Sequence, residues 1–270
     1  MPPRHHDRMV EISLNADLGE SFGPWKMGDD AALLPLINAA SLACGYHAGD
    51  PGIMAETVRL ALEAGCSIGA HPGFPDLQGF GRRALKMSAR EVEAITAYQV
   101  GALAGTAALH GGKVTHVKPH GMLNTLASAD ADLARAIARA ARAVDRGMIL
   151  VVLPGTELEK AGRAEGLPCA LEGYADRLYE PDGRLASRAL PDAVHHDIAV
   201  IREQALRMVL EREVIARGGV RLKLEVQTLC LHGDEPSAVE AARQVRAGLL
   251  AGGAELRPLP EMRFSGRVSV

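Results

Sequence analysis

The 270-residue sequence lacks the features that mark several functional classes of protein. Only 3% of its residues are aromatic, so it offers few side chains that could stack on nucleic-acid bases or sugars. The 30 basic and 33 acidic residues give a formal net charge of −3 and form no basic arm. No apolar run approaches the ~18 residues of a membrane span, and the N-terminal MPPRHHDR has no signal-peptide core. We therefore expect a cytoplasmic protein with no nucleic-acid or membrane partner.

Sequence motifs for cofactors are absent as well. The four cysteines, Cys44, Cys66, Cys169 and Cys230, stand far apart without a CxxC spacing, which argues against a zinc ribbon or a redox motif. We expect all four to be reduced and buried. The chain contains no GxxxxGKS or GxxxxGKT loop, so no segment is identifiable as an ATP site. The histidines show no HxxxH or HxH spacing, and on this basis we predict no metal; ligands drawn from several strand ends are the alternative.

Five stretches share a pattern in which an apolar run breaks into glycine, histidine and aspartate or proline. They are Ser13–Gly23, Ser41–Pro51, Ser67–Asp76, Thr115–Gly121 and Thr228–Pro236. In four of them a histidine stands just past the apolar run, at His47, His71, His120 and His232. If each run is a buried parallel strand, these residues gather at the carboxyl ends, where barrels and open α/β sheets assemble their sites. The pattern indicates an enzyme whose site is built from distant segments.

Short apolar runs alternate with helical patterns along the chain. The predicted strands are Val10–Asn15, Ala39–Ala43, Ser67–Ala70, Val114–Val117, Met148–Leu153, Cys169–Glu172 and Val226–Leu231. The predicted helices are Pro51–Ala64, Ser88–His110, Asp130–Arg146, Asp197–Arg217 and Ser237–Ala251. This alternation predicts one α/β domain over residues 1–270, with flexible tails at 1–8 and 262–270. Two long loops, Pro72–Lys86 and Asp176–His196, are expected at the carboxyl face.

Polar side chains follow the first two predicted strands. Asn15, Asp17 and Glu20 come after the first strand, where a carboxylate can act as a general base, bind a metal or hold a substrate amine. Either carboxylate could instead cap a turn or a helix. His47 lies between two glycines with little core around it, which favours a role in proton transfer. Asp50 precedes a proline and is explained as a helix N-cap.

The loop after the third predicted strand carries His71, Asp76 and the pair Arg82-Arg83. Guanidinium groups on a glycine-rich loop suit a carboxylate or a phosphate because they bind both in a bidentate manner. An ordinary surface ion pair is the alternative, and the flanking glycines favour anion binding.

Lys118 and His120 occupy alternate positions at the end of the fourth predicted strand and should face the same side. Hydrophobic packing does not explain a lysine in the mouth of a barrel, so we assign Lys118 to the site. His232 and Asp234 repeat the arrangement after the last strand. His116 lacks this context and is interpreted as structural.

These segments resemble the LamB/YcsF family over nearly the whole chain. The motifs NADLGESFG, ACGYHAGDP, GAHPGFPDLQGFGRR, HVKPHG, EGYADRLY and LHGD occur in the family's order from Asn15 to Asp234. The resemblance implies a seven-stranded β/α barrel of the glycoside hydrolase/deacetylase type. It also implies cleavage of 5-oxo-L-proline to L-glutamate, coupled to hydrolysis of ATP that partner subunits B and C would bind. One motif departs from the family, because Asn124-Thr125 replace a usual Tyr–Asn pair; substrate specificity or rate would differ if these side chains touch the substrate.

On this interpretation the partner subunits phosphorylate the lactam oxygen, and the present chain hydrolyses the activated intermediate. The expected catalytic residues are Asp17, Glu20, His47, Lys118 and His120, and the expected substrate-binding residues are Asn15, His71, Arg82, Arg83, Arg177, His232 and Asp234. A carboxylate with a histidine would deprotonate water, and Lys118 with Arg82 would hold phosphate or oxyanion charge. Arg177 or Arg83 would bind the substrate carboxylate.

Two other functions stay open at this point. One is a metal-dependent, deacetylase-like hydrolase that acts without ATP or partners. The other is a non-catalytic subunit that binds a small acid and regulates a partner.

Overall fold

A computed structural model describes residues 10–232 and 237–264. The strands in these ranges are β1 Glu11–Leu18, β2 Ala39–Ala43, β3 Ser67–His71, β4 Val114–Val117, β5 Ile149–Val152, β6 Cys169–Tyr174, β7 Glu213–Ala216, β8 Val220–Lys223, β9 Thr228–His232 and β10 Glu255–Leu256. The α-helices are α1 Asp30–Leu33, α2 Pro51–Glu63, α3 Ala89–Leu109, α4 Gly121–Ala127, α5 Ala131–Val144, α6 Glu157–Ala164, α7 Ile198–Leu206 and α8 Ala238–Ala251.

Seven of the strands form a closed parallel barrel. Strands β1 to β6 pair in chain order, and β9 pairs with both β6 and β1, which closes the sheet. Strand β10 adds a short parallel pairing at the amino end of β1. The predicted fold class, a seven-stranded (β/α) barrel, is confirmed. All seven carboxyl ends therefore open at one mouth, as in other β/α barrels.

The side chains of β1 show how the two faces of a barrel strand differ. Ile12 and Leu14 belong to the apolar layer between the strands and the helices. Ser13, Asn15 and Asp17 occupy the alternate positions and point into the barrel, where all three are buried. Because both faces are covered, the strand reads in the sequence as an apolar run interrupted by a few polar residues.

The amino end of the barrel is closed by apolar side chains. Leu259, Met262 and Phe264 form one buried cluster with inward-facing residues such as Ile149 and Val151 of β5. Met262 and Phe264 belong to the stretch predicted as a flexible tail, yet both are buried because they cover the interior of the barrel at this end.

Helix α2 begins as its sequence predicts. The Asp50 side chain accepts hydrogen bonds from the backbone N–H groups of Gly52 and Ile53, and Pro51 follows as the first helical residue. The second carboxylate oxygen of Asp50 accepts from the backbone of Gly23, which ties the loop after β1 to this helix. These backbone hydrogen bonds lower the pKa of Asp50.

Across the described ranges, no helix has the length and apolar character needed to cross a bilayer.

The predicted helix Asp197–Arg217 is wrong in its second half. The α-helical part, α7, ends at Leu206 and is followed by one wider, π-helical turn from Arg207 to Glu211. Arg212 then adopts a left-handed conformation with φ of 55°. The chain then forms the antiparallel hairpin of β7 and β8. The alternating Glu213-Val-Ile-Ala segment favours a strand, and Gly218-Gly219, interpreted as a helix end, form the hairpin turn with positive φ.

We predict that Gly69→Ala destabilises the barrel. A Cβ atom at this position of β3 would lie 2.1 Å from the ring of His116 on β4, which is fully buried and has no room to move. Overpacking of this kind costs about 1–3 kcal/mol in the free energy of unfolding, to be measured by urea denaturation. Gly101→Ala is the matched control because nothing lies within 4 Å of its Cβ position in helix α3, and it should be neutral or stabilising. Equal stability of the two variants would contradict the prediction.

Candidate active site at the carboxyl end of the barrel

Four barrel strands and the loops after them bring seven of the predicted site residues together. These are Asn15 and Asp17 of β1, Glu20 and His47 in the loops after β1 and β2, His71 of β3, and Lys118 and His120 after β4. All seven are buried, and Asp17 and Glu20 are the most accessible at 8% each. The two carboxylates are therefore the part of this group that a molecule at the barrel mouth meets first.

The ammonium of Lys118 lies at the centre of a buried ion-pair network. Its Nζ atom is 2.8 Å from Oδ1 of Asp17 and 2.9 Å from Oε1 of Glu172. It also lies 3.2 Å from Oδ1 of Asn15 and 3.0 Å from Sγ of Cys230. An ammonium has three N–H donors, and these acceptors occupy them. The predicted role of Lys118 as a direct phosphate ligand thus does not fit this geometry, which instead makes it the group that holds Asp17.

The charges around Lys118 favour its ammonium form. Burial alone would lower the pKa of Lys118, but the carboxylates of Asp17 and Glu172 outweigh burial and raise this pKa well above its usual value. The ring of Tyr174, whose centroid lies 5.4 Å from Nζ, adds a cation–π contact. Burial raises the pKa of the Cys230 thiol well above its usual range, so the sulfur remains a neutral, weak acceptor.

Asn15 connects this network to the last strand of the barrel. Its side-chain amide donates to Oε1 of Glu172, 3.0 Å away, and to Oγ1 of Thr228, 2.7 Å away. The amide oxygen faces the ammonium of Lys118. Asn15 therefore acts as a spacer that sets Glu172 against Lys118, and not as a group aimed at a substrate.

Two backbone carbonyls determine where the protons of two histidines lie. The Nδ1 atom of His71 is 2.6 Å from the backbone oxygen of Lys118, and the Nε2 atom of His120 is 2.8 Å from the backbone oxygen of Phe80. A carbonyl only accepts, so each of these nitrogens must carry a hydrogen. In the neutral rings, Nε2 of His71 and Nδ1 of His120 then present lone pairs. These two atoms are 3.0 Å apart.

His47 packs face to face on His120, with ring centroids 3.7 Å apart and ring planes 3° from parallel. Its Nε2 atom lies 3.3 Å from Oε1 of Glu20. Burial lowers the pKa of His47 well below its usual value, and the neighbouring histidines lower it further. The stack depends on Gly81, because a Cβ there would come within 2.8 Å of both imidazole side chains, and its φ of 62° suits glycine.

Glu20, His47, His71 and His120 together present a set of metal-binding atoms. One ligand atom from each side chain lies within 4.8 Å of all the others, and all four residues are buried. The sequence spacing predicts no metal because the four residues come from four separate loops and strand ends. Their convergence appears only once the barrel is closed.

The arginines behave differently from one another. Arg83 pairs with Asp76, which also accepts from the backbone of Gly79, so this pair closes a turn, and the guanidinium of Arg83 lies mostly in solvent. Arg177 is buried and donates to the backbone oxygens of Ala193 and Ala186, which shapes its own loop. Arg83 thus forms the ion pair that was the alternative to anion binding, and Arg177 contacts backbone groups of its own loop; their substrate-binding roles stay predictions.

Arg82 is the arginine of this set that faces the site. Its guanidinium carbon lies 4.9 Å from the ring centroid of Phe80, whose backbone oxygen holds His120. Burial lowers the pKa of both His47 and His120 well below its usual value, and the positive charge of Arg82 adds to this effect. Arg82 is half-buried at the edge of the cluster.

Three buried residues of the site were not predicted from the sequence. They are Glu172, Tyr174 and Cys230, which all face Lys118. A glutamate within the apolar strand β6 was the available signal, since a charge inside a buried run needs a partner. All four cysteines are free and buried as expected, and Cys230 in addition contacts the site.

Four further positions were singled out from the sequence: His232, Asp234, Asn124 and Thr125. His232 ends β9 with its backbone paired to Asp17, and Asp234 lies outside the described residues. Asn124 and Thr125, the departure from the family pattern, make local contacts within or next to helix α4: Asn124 accepts from Ser128 and Thr125 donates to the backbone of Gly121.

The fold and this site define a (β/α) barrel with a deacetylase-type architecture, whose polar side chains gather at the carboxyl ends of the strands. The chain belongs to the LamB/YcsF family, whose sequence profile matches residues 12–264. The chain thus has the family membership that its motifs predict.

Known proteins of similar sequence and structure agree with this assignment. A protein of Azoarcus sp. strain BH72, named as the A subunit of 5-oxoprolinase, is 52% identical over 94% of this chain and 99% of its own length. One of the same name from Methylococcus capsulatus is 54% identical over 90% of this chain and 93% of its own. The lactam utilization protein of Thermus thermophilus has a TM-score of 0.88 and 46% identity, covering 93% of this chain and all of that one.

A more distant structure shares the fold alone. The catalytic domain of a peptidoglycan N-acetylglucosamine deacetylase from Eubacterium rectale superimposes with a TM-score of 0.52 at 11% identity, over 97% of this chain and 94% of that one.

We predict that Lys118→Met strongly destabilises the protein. The substitution leaves the buried carboxylates of Asp17 and Glu172 facing each other without a counter-charge, which costs about 3–5 kcal/mol in the free energy of unfolding. Lys113→Met is the matched control, because Lys113 forms an exposed ion pair with Asp145 that is worth less than about 1 kcal/mol. Urea denaturation of both variants decides the matter; similar midpoints would show that the Lys118 network does not stabilise the fold.

Proposed function

We propose that this chain is the A subunit of an ATP-dependent 5-oxoprolinase. The complete enzyme would open the lactam ring of 5-oxo-L-proline to give L-glutamate. The observation that carries the proposal is identity of about half over nearly the full length of proteins named as the A subunit of 5-oxoprolinase. The buried acid, histidine and lysine side chains at the barrel mouth supply the groups that such a hydrolysis needs.

The chemistry requires an activated lactam. In the proposed sequence, partner subunits B and C bind ATP and transfer its terminal phosphate to the lactam oxygen, which releases ADP. Water then adds to the ring carbon, the bond between this carbon and nitrogen breaks, and the nitrogen takes a proton. A second water cleaves the resulting acyl phosphate to glutamate and phosphate. The partners would share the cytoplasmic location proposed for this chain.

In this chain, Asp17 is our choice for the group that accepts a proton from the attacking water. Lys118 holds one oxygen of Asp17 in place, with its Nζ atom 2.8 Å from Oδ1. The other oxygen lies 3.3 Å from Nε2 of His71, at the edge of the histidine cluster. Arg82, at the rim of this cluster, would bind the phosphate of the intermediate.

Reconstitution with the partner subunits tests the proposal. Glutamate should form from 5-oxoproline and ATP when this chain is mixed with subunits B and C. The chain alone should neither hydrolyse ATP nor make glutamate. Absence of glutamate from the complete mixture would remove the proposal. Ring opening by the isolated chain without ATP would instead favour a hydrolase that acts without partners.

We predict that Asp17→Asn lowers kcat of the reconstituted complex about 10²–10⁴-fold, because the amide retains the shape of the carboxylate but accepts no proton. Asp145→Asn is the matched control, since Asp145 pairs with Lys113 at the amino end of the barrel, away from the site, and should leave turnover unchanged. Glutamate release under saturating substrate is the measurement. Full activity of the Asp17 variant would support the interpretation of this chain as a non-catalytic binding protein.

The partner surface is expected at the same end of the barrel as the site. Trp25, in the loop after β1, is 70% exposed, and Leu77, in the loop after β3, is 42% exposed. Exposed tryptophan is among the residues that contribute most to protein–protein affinity. Delivery of a labile phosphorylated intermediate also requires the mouth to face the subunit that makes it.

We predict that Trp25→Ala weakens association with the partner subunits at least about tenfold. Leu109→Ala is the control, because Leu109 is 81% exposed but ends helix α3 at the opposite, amino-terminal side of the barrel. Affinities are to be measured by titrating each variant into the partner subunits. If both substitutions weaken the association equally, or if neither weakens it, the interface lies elsewhere.

A further inference from the structure

The starting observation is the close contact between Nε2 of His71 and Nδ1 of His120. The Nδ1–H group of His71 donates to the backbone oxygen of Lys118, and the Nε2–H group of His120 donates to the backbone oxygen of Phe80. The two lone-pair nitrogens that remain are only 3.0 Å apart. Two acceptors at this separation repel each other unless a positive species lies between or beside them.

Carboxylate oxygens surround the same point. Oε1 of Glu20 lies 3.7 Å from Nδ1 of His120, and Oδ2 of Asp17 lies 3.3 Å from Nε2 of His71. Two ligand atoms that each lie 2.0–2.1 Å from a tetrahedral ion are about 3.3 Å apart. The distances from Nδ1 of His120 to Nε2 of His71, 3.0 Å, and to Oε1 of Glu20, 3.7 Å, bracket this value, and all ligand atoms of the cluster lie within 4.8 Å of one another.

We propose that this cluster is a divalent metal site in which His71 Nε2, His120 Nδ1 and Glu20 are the protein ligands. Asp17 stands at its edge, and His47 positions Glu20 through the contact between Nε2 and Oε1. The three ligands leave a position open for water or a substrate oxygen, as catalytic sites do.

The ligand set also indicates which metal binds. Two imidazoles and one carboxylate suit zinc or a similar transition metal, whereas calcium and magnesium prefer oxygen ligands alone. In metal sites, groups that do not touch the ion hold the ligand side chains in place. The carbonyl groups of Lys118 and Phe80 would do this here, because they fix the tautomer and the direction of each imidazole ring. A bound ion would lower the pKa of its water and so provide a nucleophile beside Asp17.

The inference concerns the pocket of the proposed function, but its test needs no substrate. Zinc or cobalt chloride is titrated into the metal-free chain by calorimetry, and the cobalt form is examined by visible absorption. All samples carry His5→Ala and His6→Ala, because this adjacent pair near the N-terminus could bind metal on its own. We expect about one ion per chain and a cobalt spectrum typical of low coordination number.

Three variants identify the ligands. Glu20→Gln and His71→Gln preserve side-chain size and should each weaken zinc binding more than about 100-fold, whereas His47→Ala should weaken it about 10–100-fold, as loss of an outer partner does. His110→Ala is the control, because His110 is exposed at the end of helix α3 and should leave affinity unchanged. Circular dichroism confirms that each variant is folded.

Two results would overturn the inference. One is a folded parent chain that takes up neither zinc nor cobalt, which would assign the contact between His71 and His120 to a shared proton. The other is zinc binding that survives both Glu20→Gln and His71→Gln. The proposed function is judged separately. If this chain binds no metal but its complex forms glutamate, the metal site is wrong and the proposed function stands. If the chain binds metal but its complex forms no glutamate, the proposed function is wrong and the metal site stands.

Discussion

The ammonium of Lys118 is the interaction on which the rest of the site depends. A buried charge is stable only with partners, and Lys118 draws its partners from three different strands of the barrel. Asp17 comes from β1, Glu172 from β6 and Cys230 from β9. Because β1 and β9 are the strands whose pairing closes the sheet, the network forms completely only when the barrel is closed. Folding of the barrel and assembly of the site are therefore one event.

Lys118 also organises the histidine cluster, through its backbone. Its carbonyl oxygen fixes the proton of His71 on Nδ1, while its side chain holds Asp17 next to the other nitrogen of the same ring. A single residue thus sets both the tautomer of an imidazole and the position of a carboxylate. The loop after β3 completes the arrangement, because Phe80 supplies the carbonyl that orients His120 and Gly81 leaves room for the stack with His47.

The polar residues of the long loops divide between structure and function. Asp76 with Arg83 stabilises a turn, and Arg177 shapes the loop after β6, so neither arginine is directed at the barrel mouth. Gln204 of helix α7 has a similar structural role, since its amide donates to three backbone oxygens of residues 174–177. Arg82, in contrast, lies beside the histidines. A charged side chain on a glycine-rich loop therefore does not by itself indicate a ligand site.

Local sequence patterns were enough to predict the fold class and to select seven residues that the barrel gathers at its mouth. The spacing of apolar residues, the strand length and capping residues such as Asp50 are local properties, so the seven barrel strands and helix α2 were predicted within a few residues, whereas β7, β8 and β10 were not predicted. Asp17, Lys118 and the histidines stood out because a polar residue just after a buried run has no packing reason to be there. The helix predicted over Asp197–Arg217 failed in its second half, because a glycine pair suits a hairpin turn as well as a helix end.

Only the tertiary structure decided which atoms meet. The four side chains of the buried cluster, Glu20, His47, His71 and His120, show no local spacing in the sequence. They converge because the barrel places all its carboxyl ends around one mouth. The same holds for Glu172 and Cys230: a charge within the apolar run of β6 signals that Glu172 needs a partner, but the sequence does not identify Lys118 as that partner. Proton positions on His71 and His120 depend on carbonyl groups from other segments, and no local pattern encodes such contacts.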